Sequence, residues 1–326
     1  MRMMENGARR FVAKGLFLGV LFYAVSLLFS ALFAQAWDWR SWQDPRKRLL
    51  YEPVPGNSDI ILLGDSIWIS SYVKSEEDAL WKVLEKLTGK RVFNATLNGA
   101  DPPDFLNAVK LLPKRETTGT VVFLDVVPTR FLPRNYVEPA QGNYPGEFSG
   151  LVADGLIRRF MVSLRKPLLV FDTDIVMNCL LRKTYFSVGD DRPRVWAKDG
   201  DFALKRFQTF ERYIVDTDDL RRMDWITGLK TALDRKGYRL VIVVTPVNQF
   251  LIREYAGKDK AEIYLTRISR ARGALVRFLQ ENQIEYVDCS GEADADGFAD
   301  LIHTNARGDE KVAEKMAGYI RLHRQE

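Results

Sequence analysis

Histidine and cysteine are the scarcest chemistry-bearing residues in this chain: 326 residues hold two of each. Cys179 and Cys289 stand far apart and in no Cys-x-x-Cys spacing, which argues against a metal knuckle or a redox motif. The pair can bridge in an oxidising compartment, and spacing alone does not decide it. Two imidazoles, His303 and His323, exclude most His-based metal sites, so no metal is expected. A glycine-rich phosphate cradle is also missing, because the loop at Gly64 has one glycine and no following lysine; a nucleotide-binding flavodoxin-like domain therefore ranks last. Charge of one sign is lacking too. The net +5 is the balance of 48 basic and 43 acidic residues, with no long basic run and no nucleic-acid motif, so no nucleic acid is expected. Internal repeats and low-complexity segments are absent. Apolar content is ample: 46% hydrophobic with 28% charged describes a folded body of one large domain or two modest ones.

The longest uncharged stretch comes early. Residues 1–14 carry Arg2, Arg9, Arg10 and Lys14, and Gly15 to Ala36 then runs without a charge. As a helix that length crosses a bilayer. Trp37, Trp39 and Trp42 follow where an interfacial aromatic belt sits. The expected organisation is a cytoplasmic head at 1–14, a transmembrane anchor or signal segment at 15–36, a linker at 37–56 and the main domain at 57–326. Ala34-Gln35-Ala36 fits a signal-peptidase site, so cleavage is the alternative to a retained anchor. Both readings export residues 37–326.

Within the main domain, strand and helix alternate. A branched apolar run ends at Leu63, and Gly64-Asp65-Ser66 with a helical pattern follows at once. A helix ending near Gly89, a strand at 91–95, a helix at 104–112 and a strand at 120–127 come next. Alternation resumes with a helix at 220–236, a strand at 239–244, a helix at 260–280, a strand at 285–288 and a last helix at 306–322. Such alternation predicts a parallel sheet covered on both faces. Between the halves, residues 128–218 form a long insertion rich in aromatics and arginine, read either as a cap or partner surface or as a helical elaboration packed on the sheet edge.

Ser66 stands where a buried parallel strand delivers a side chain to the rim of an α/β sheet. A serine is a weak nucleophile unless a base, an orienting acid and oxyanion donors accompany it. His303 is the one well-placed imidazole, and Asp300 lies three residues before it in a turn leading to the last helix. That spacing brings carboxylate and ring to one side, leaving the other ring nitrogen for a nucleophile. Each part has an ordinary alternative: Ser66 as a helix cap, His303 as a loop residue. Together they mark Ser66, Asp300 and His303 as catalytic candidates.

In these residues the chain resembles the SGNH or GDSL hydrolase superfamily. Gly64-Asp65-Ser66 matches its nucleophile block, Gly99 after the second strand its glycine block, and Asp300-Leu301-Ile302-His303 its terminal acid-base block. The resemblance covers about 57–127 and 220–322. It implies a three-layer α/β/α, flavodoxin-like fold with a large middle insertion, and serine-ester chemistry without a cofactor. Ser66 would attack an acyl carbonyl, His303 would carry the proton, Asp300 would orient it, and the N–H groups of Ser66 and Gly99 would receive the oxyanion. The superfamily's asparagine after the third strand is missing, for none occurs at Val126-Val127-Pro128-Thr129. Asn98 and Asn248 are the substitutes, as oxyanion donors or substrate contacts; an ordinary turn asparagine is the alternative for each.

The anchor, the Pro246-Val247-Asn248 turn, and Ile302-His303 with Gly308 beyond it are similar to the DltD branch, and more loosely to the alginate O-acetylation proteins. That resemblance implies a single-pass inner-membrane protein with an extracytoplasmic or periplasmic domain, beside a bilayer and a multispanning O-acyltransferase. Its activity would be acyl-ester hydrolysis or O-acyl transfer on a cell-envelope glycopolymer through an acyl-serine. The alternative is a non-catalytic SGNH-fold partner or polymer-binding module of an envelope O-acylation complex.

Overall fold

The computed structural model describes residues 54–69, 75–97, 99–116, 119–128 and 223–323, together with 14–25 and positions 28, 49, 73, 204, 207, 208, 211 and 214. Two compact units divide the chain: residues 1–44 with 153–185, and 45–152 with 186–326. In the first, residues 14–25 are helical, and Leu16, Phe17, Leu18, Val20, Leu21, Phe22 and Val25 are exposed. Among the described residues no helix is long and apolar enough to cross a membrane. Most of the second half of the expected span, and most of the insertion, lie outside the described residues.

The second unit is built on a five-stranded, wholly parallel sheet in the order β2-β1-β3-β4-β5. Its strands are β1 (Ile60–Leu63), β2 (Val92–Asn94), β3 (Thr120–Val126), β4 (Tyr238–Val244) and β5 (Glu285–Asp288). Every residue of β1 and β3 is buried, as strands covered on both faces require. The helices are α1 (Leu80–Thr88), α2 (Pro102–Leu111), α3 (Asp224–Asp234), α4 (Gln249–Tyr255), α5 (Lys258–Glu281) and α6 (Ala306–Leu322).

Pleating sorts the core into two halves. Ile60, Leu62, Val121, Phe123, Val241, Val243 and Val287 share a cluster with Leu84 of α1 and Val312, Ala313 and Met316 of α6. Ile61, Leu63, Val122, Leu124, Ile242 and Val244, equally buried, alternate to the other face, where α2 and α3 pack on each other. This is the expected three-layer arrangement.

Boundaries follow local chemistry. Gly89 ends α1 in the left-handed conformation at φ 63°, and Asp101 starts α2 by a capping box with Asp104 followed by two prolines. Two elements differ from expectation. Ser66 opens a 3-10 turn, Ser66–Ile69, a second 3-10 turn follows at Glu76–Asp78, and among the described residues the first α-helix after Ser66 begins at Leu80. Ile67 and Trp68 of this turn are both buried in the core that α1 and α6 share. A short helix, α4, also precedes the expected one; Asn248 starts it, and Gly257 at φ 73° separates it from α5. The last helix and the strand at 285–288 match their expected bounds. The end of the insertion belongs to this core: Phe207 and Ile214 are buried in it, and Glu211 Oε1 accepts the Tyr264 hydroxyl proton at 2.5 Å.

Candidate active site

Parallel pairing puts the C-terminal ends of all five strands on one rim, and the candidate residues stand on the loops leaving it. The first loop leaves β1. Its geometry begins with Asp65, whose Oδ1 accepts the Ile67 N–H at 2.9 Å and bends the chain into the 3-10 turn that carries Ser66. Behind that turn lies Asp125 of β3, whose Oδ1 accepts the Asp65 N–H at 3.2 Å.

The second loop lies between β5 and α6. Phe298 and Thr304 form an isolated antiparallel bridge, and the Ala299 N–H donates to the His303 carbonyl at 2.9 Å, which closes a tight loop around residues 300–303. Asn305 caps α6, accepting the N–H groups of Arg307 and Gly308, and its side chain donates to the Asp296 carbonyl. Gly308 has no alternative here, since a β-carbon on it would overlap the Gly297 carbonyl oxygen and crowd Thr304.

These two loops bring Ser66, His303 and Asp300 together. Asp300 is fully buried and His303 nearly so, whereas Ser66 is half-buried and reachable from the rim. Nδ1 of His303 lies 2.8 Å from Asp300 Oδ2 and 3.0 Å from Oδ1, and Nε2 lies 3.0 Å from Ser66 Oγ. Asp300 Oδ1 also accepts the backbone N–H groups of Ile302 and His303. Burial alone would push the Asp300 carboxyl up, but the facing imidazole and these hydrogen bonds hold it below its ordinary value. An ionised Asp300 accepts from Nδ1–H, which leaves the Nε2 lone pair for the Ser66 hydroxyl proton. The arrangement holds a hydroxyl, an imidazole and a carboxylate within hydrogen-bond reach of one another, the geometry that a nucleophile, a base and an orienting acid require.

The other candidates fall out differently. Gly99 sits at φ 71°, a conformation that favours glycine, and among the described residues no atom would crowd a side chain there, so backbone geometry is what selects it. Its turn is tied to the serine loop, because the Leu97 N–H donates to the Gly64 carbonyl at 2.9 Å. Asn98 lies outside the described residues. Asn248 does not serve as the substitute oxyanion donor or substrate contact: it is fully buried, its Oδ1 caps α4, and its side-chain N–H donates to the Asp300 carbonyl at 3.1 Å. With its backbone N–H on the Leu301 carbonyl, Asn248 braces the Asp300–His303 loop from behind. After β3, Pro128 has no N–H to offer. Cys289 is buried as a free thiol, and Cys179 lies outside the described residues. Among the described residues no cluster of His, Cys, Asp or Glu fits a metal ion.

A cleft of about 320 Å³ opens along the same rim between β3, β4, β5 and α5, walled by Pro128, Thr245, Val247, Ile268, Arg272 and Ser290 among others. Ser66 and His303 are not among its walls.

Asp125 is the residue that sequence reasoning missed. It is the penultimate residue of β3, a charge in a strand otherwise apolar from Val121 onward, which is the signal that could have found it. Burial pushes its carboxyl well above the ordinary carboxylate range, and its Oδ2 has no hydrogen-bond partner among the described residues. A raised pKa means that the folded state keeps a proton the unfolded chain has released. Stability from this group is complete below the unfolded pKa, about 3.9, and is lost as pH rises through the folded value. Wild type is therefore expected to lose about 1.4 kcal/mol per pH unit relative to Asp125→Asn across that window. Urea unfolding of both proteins at several pH values measures it, and parallel stability curves would refute it.

No family model and no curated protein matches this chain. Among solved structures it is similar to a candidate GDSL-like lipase from Bacteroides ovatus, at 13% identity and a TM-score of 0.43, over 83% of this chain and 54% of that one. It is also similar to an extracellular lipase from Streptomyces rimosus, at 12% identity and a TM-score of 0.38, over 80% and 99% of the two chains. A salicylyl-acyltransferase of a tetracycline biosynthetic pathway is a third, at 12% identity and a TM-score of 0.36, over 82% and 55%. The chain spans about half the length of the first and the third.

Proposed function

We propose that this protein is a serine-dependent acyl-ester hydrolase or O-acyltransferase of the SGNH type, anchored in the inner membrane and acting outside it on a cell-envelope glycopolymer. The observation that carries the chemistry is the Ser66–His303–Asp300 chain of hydrogen bonds, made by residues up to 237 positions apart. Ser66 Oγ attacks the acyl carbonyl carbon as Nε2 of His303 takes its proton. The resulting oxyanion is received by the N–H groups of Ser66 and Gly99. The imidazolium then protonates the leaving alcohol, and an acyl-serine remains. A second hydroxyl, from water or from a sugar acceptor, gives its proton to Nε2 and attacks the acyl carbon, and as this second tetrahedral intermediate collapses the imidazolium returns the proton to Ser66 Oγ, which leaves as the free hydroxyl. Hydrolysis and transfer differ only in which hydroxyl enters.

The membrane and envelope parts of the reading rest on the charge-free stretch Gly15–Ala36. Its described part is helical and bares apolar side chains around its circumference, as a helix solvated by lipid does. A multispanning O-acyltransferase is the partner this reading assigns, passing or receiving the acyl group. The motif resemblance to DltD supports that assignment.

A fluorophosphonate probe tests the chemistry. It is expected to add one phosphonyl group to the full-length protein, on the tryptic peptide bearing Ser66, as mapped by mass spectrometry. An adduct on another residue would overturn the assignment. A folded protein that takes no probe and hydrolyses no aryl ester would favour the non-catalytic polymer-binding module.

A further inference from the structure

We infer that Asp125 is a positioning residue for the nucleophile: its carboxyl, seated against Gly64, holds the Asp65 N–H and so sets the turn that presents Ser66 to the imidazole. The inference rests on the reading of Ser66 as the nucleophile. It starts from register. β1 and β3 pair in parallel with Leu63 beside Leu124, so the next residues, Gly64 and Asp125, leave the pair side by side. A β-carbon on Gly64 would overlap Asp125 Oδ1, which places the carboxyl directly on the Gly64 backbone. From there Oδ1 reaches the Asp65 N–H, and Asp65 Oδ1 in turn reaches the Ile67 N–H. Two carboxyls thus hold the backbone N–H groups of the residues before and after Ser66, and neither tie uses the Ser66 N–H that the proposed oxyanion needs.

The choice of residue supports a function. Asp125 is almost wholly buried, and one of its oxygens has no partner among the described residues. A leucine would fill similar space without that desolvation cost, but would accept no hydrogen bond. Buried polar groups that strain local rules concentrate where a site must be held in one geometry. Here the group lies immediately behind the turn that the triad depends on. Asp125 itself touches no reacting atom in this scheme and acts only through Gly64 and Asp65.

Two variants of the full-length protein separate positioning from packing. Asp125→Asn keeps the Oδ1 acceptor, and Asp125→Leu keeps the bulk without it; Asp125→Val replaces the leucine variant should that one not fold. Asp125→Leu is expected to lower kcat for an aryl acetate, and the rate of fluorophosphonate labelling, by about 10- to 100-fold with KM unchanged. Asp125→Asn is expected to restore both to within about threefold of wild type, since the acceptor is back. Hydrogen exchange of the peptide spanning residues 61–69 should speed up in the leucine variant and stay slow in the asparagine variant. A folded Asp125→Leu protein with wild-type labelling and exchange overturns the inference, as does an Asp125→Asn protein as impaired as the leucine variant. Wild type that takes no probe overturns the nucleophile reading instead, and exchange alone then decides whether Asp125 sets the turn.

Discussion

Ser66→Ala is expected to abolish fluorophosphonate labelling and to cut ester turnover by roughly 10⁴- to 10⁶-fold, leaving the melting temperature near that of wild type. The size of the loss follows from covalency: with Oγ gone no acyl-serine forms, and what survives is binding and any oxyanion stabilisation. His303→Ala should fall about as far, because the groups act as one unit and removing either stops proton transfer. Asp300→Asn tests a different part of the geometry. Its side-chain amide can still meet the ring, but it favours the tautomer with the proton on Nε2, where the base must have a lone pair. A loss of roughly 10³- to 10⁴-fold in kcat is expected, with the fold retained. Steady-state kinetics on the three variants, with circular dichroism to check folding, measure this. Turnover unchanged in Ser66→Ala would remove the nucleophile from the scheme, and full activity in Asp300→Asn would remove the orienting acid.

Gly64→Ala should be strongly damaging for a single methyl addition. Gly64 is not in a positive-φ conformation, so its backbone would accept alanine. The obstacle is steric, because the new methyl meets the buried Asp125 carboxyl, which β3 holds in place. Overpacking a closed position of this kind costs about 3 kcal/mol, or roughly 6–12 °C in Tm for a domain of this size. Activity should fall with it, since any shift moves the turn that carries Ser66. The double variant Gly64→Ala/Asp125→Ala has room for the methyl and should recover most of the lost Tm, though not the kcat if the Asp125 hydrogen bond sets the turn. Thermal melts of the single and double variants measure the coupling. Equal Tm values for wild type and Gly64→Ala would refute the clash.

Much of the candidate site was legible because its parts are punctuated locally. Gly64-Asp65-Ser66 closes an apolar run, and Asp300 and His303 precede a helix with a clear amphipathic period, so strand ends and the acid-base spacing could be read without coordinates. Asn248 was misread for a physical reason. An asparagine in a loop at the rim looks the same in sequence whether its amide faces substrate or the protein, and only the position of the 300–303 loop decides that it faces inward. Asp125 escaped notice because a strand residue's neighbours across the sheet are set by register, which a single chain pattern does not carry. The helix expected directly after Ser66 is a 3-10 turn, with Ile67 and Trp68 both buried in the core shared with α1 and α6.

The sequence by itself determined the alternation of strand and helix, hence a parallel sheet, and singled out one serine, one well-placed histidine and the acid beside it as candidates. The loop at Gly64, with one glycine and no following lysine, argued against a phosphate cradle, and two histidines argued against most His-based metal sites. Tertiary structure alone decided that Ser66 Oγ lies 3.0 Å from His303 Nε2. It also decided that Asn248 braces a loop, and that Gly64 must be glycine because Asp125 occupies the space. The division has one cause. Local patterns report which way a side chain faces along its own element, while the distance between residues far apart in the chain depends on how five strands fall into register and which loops then share a rim.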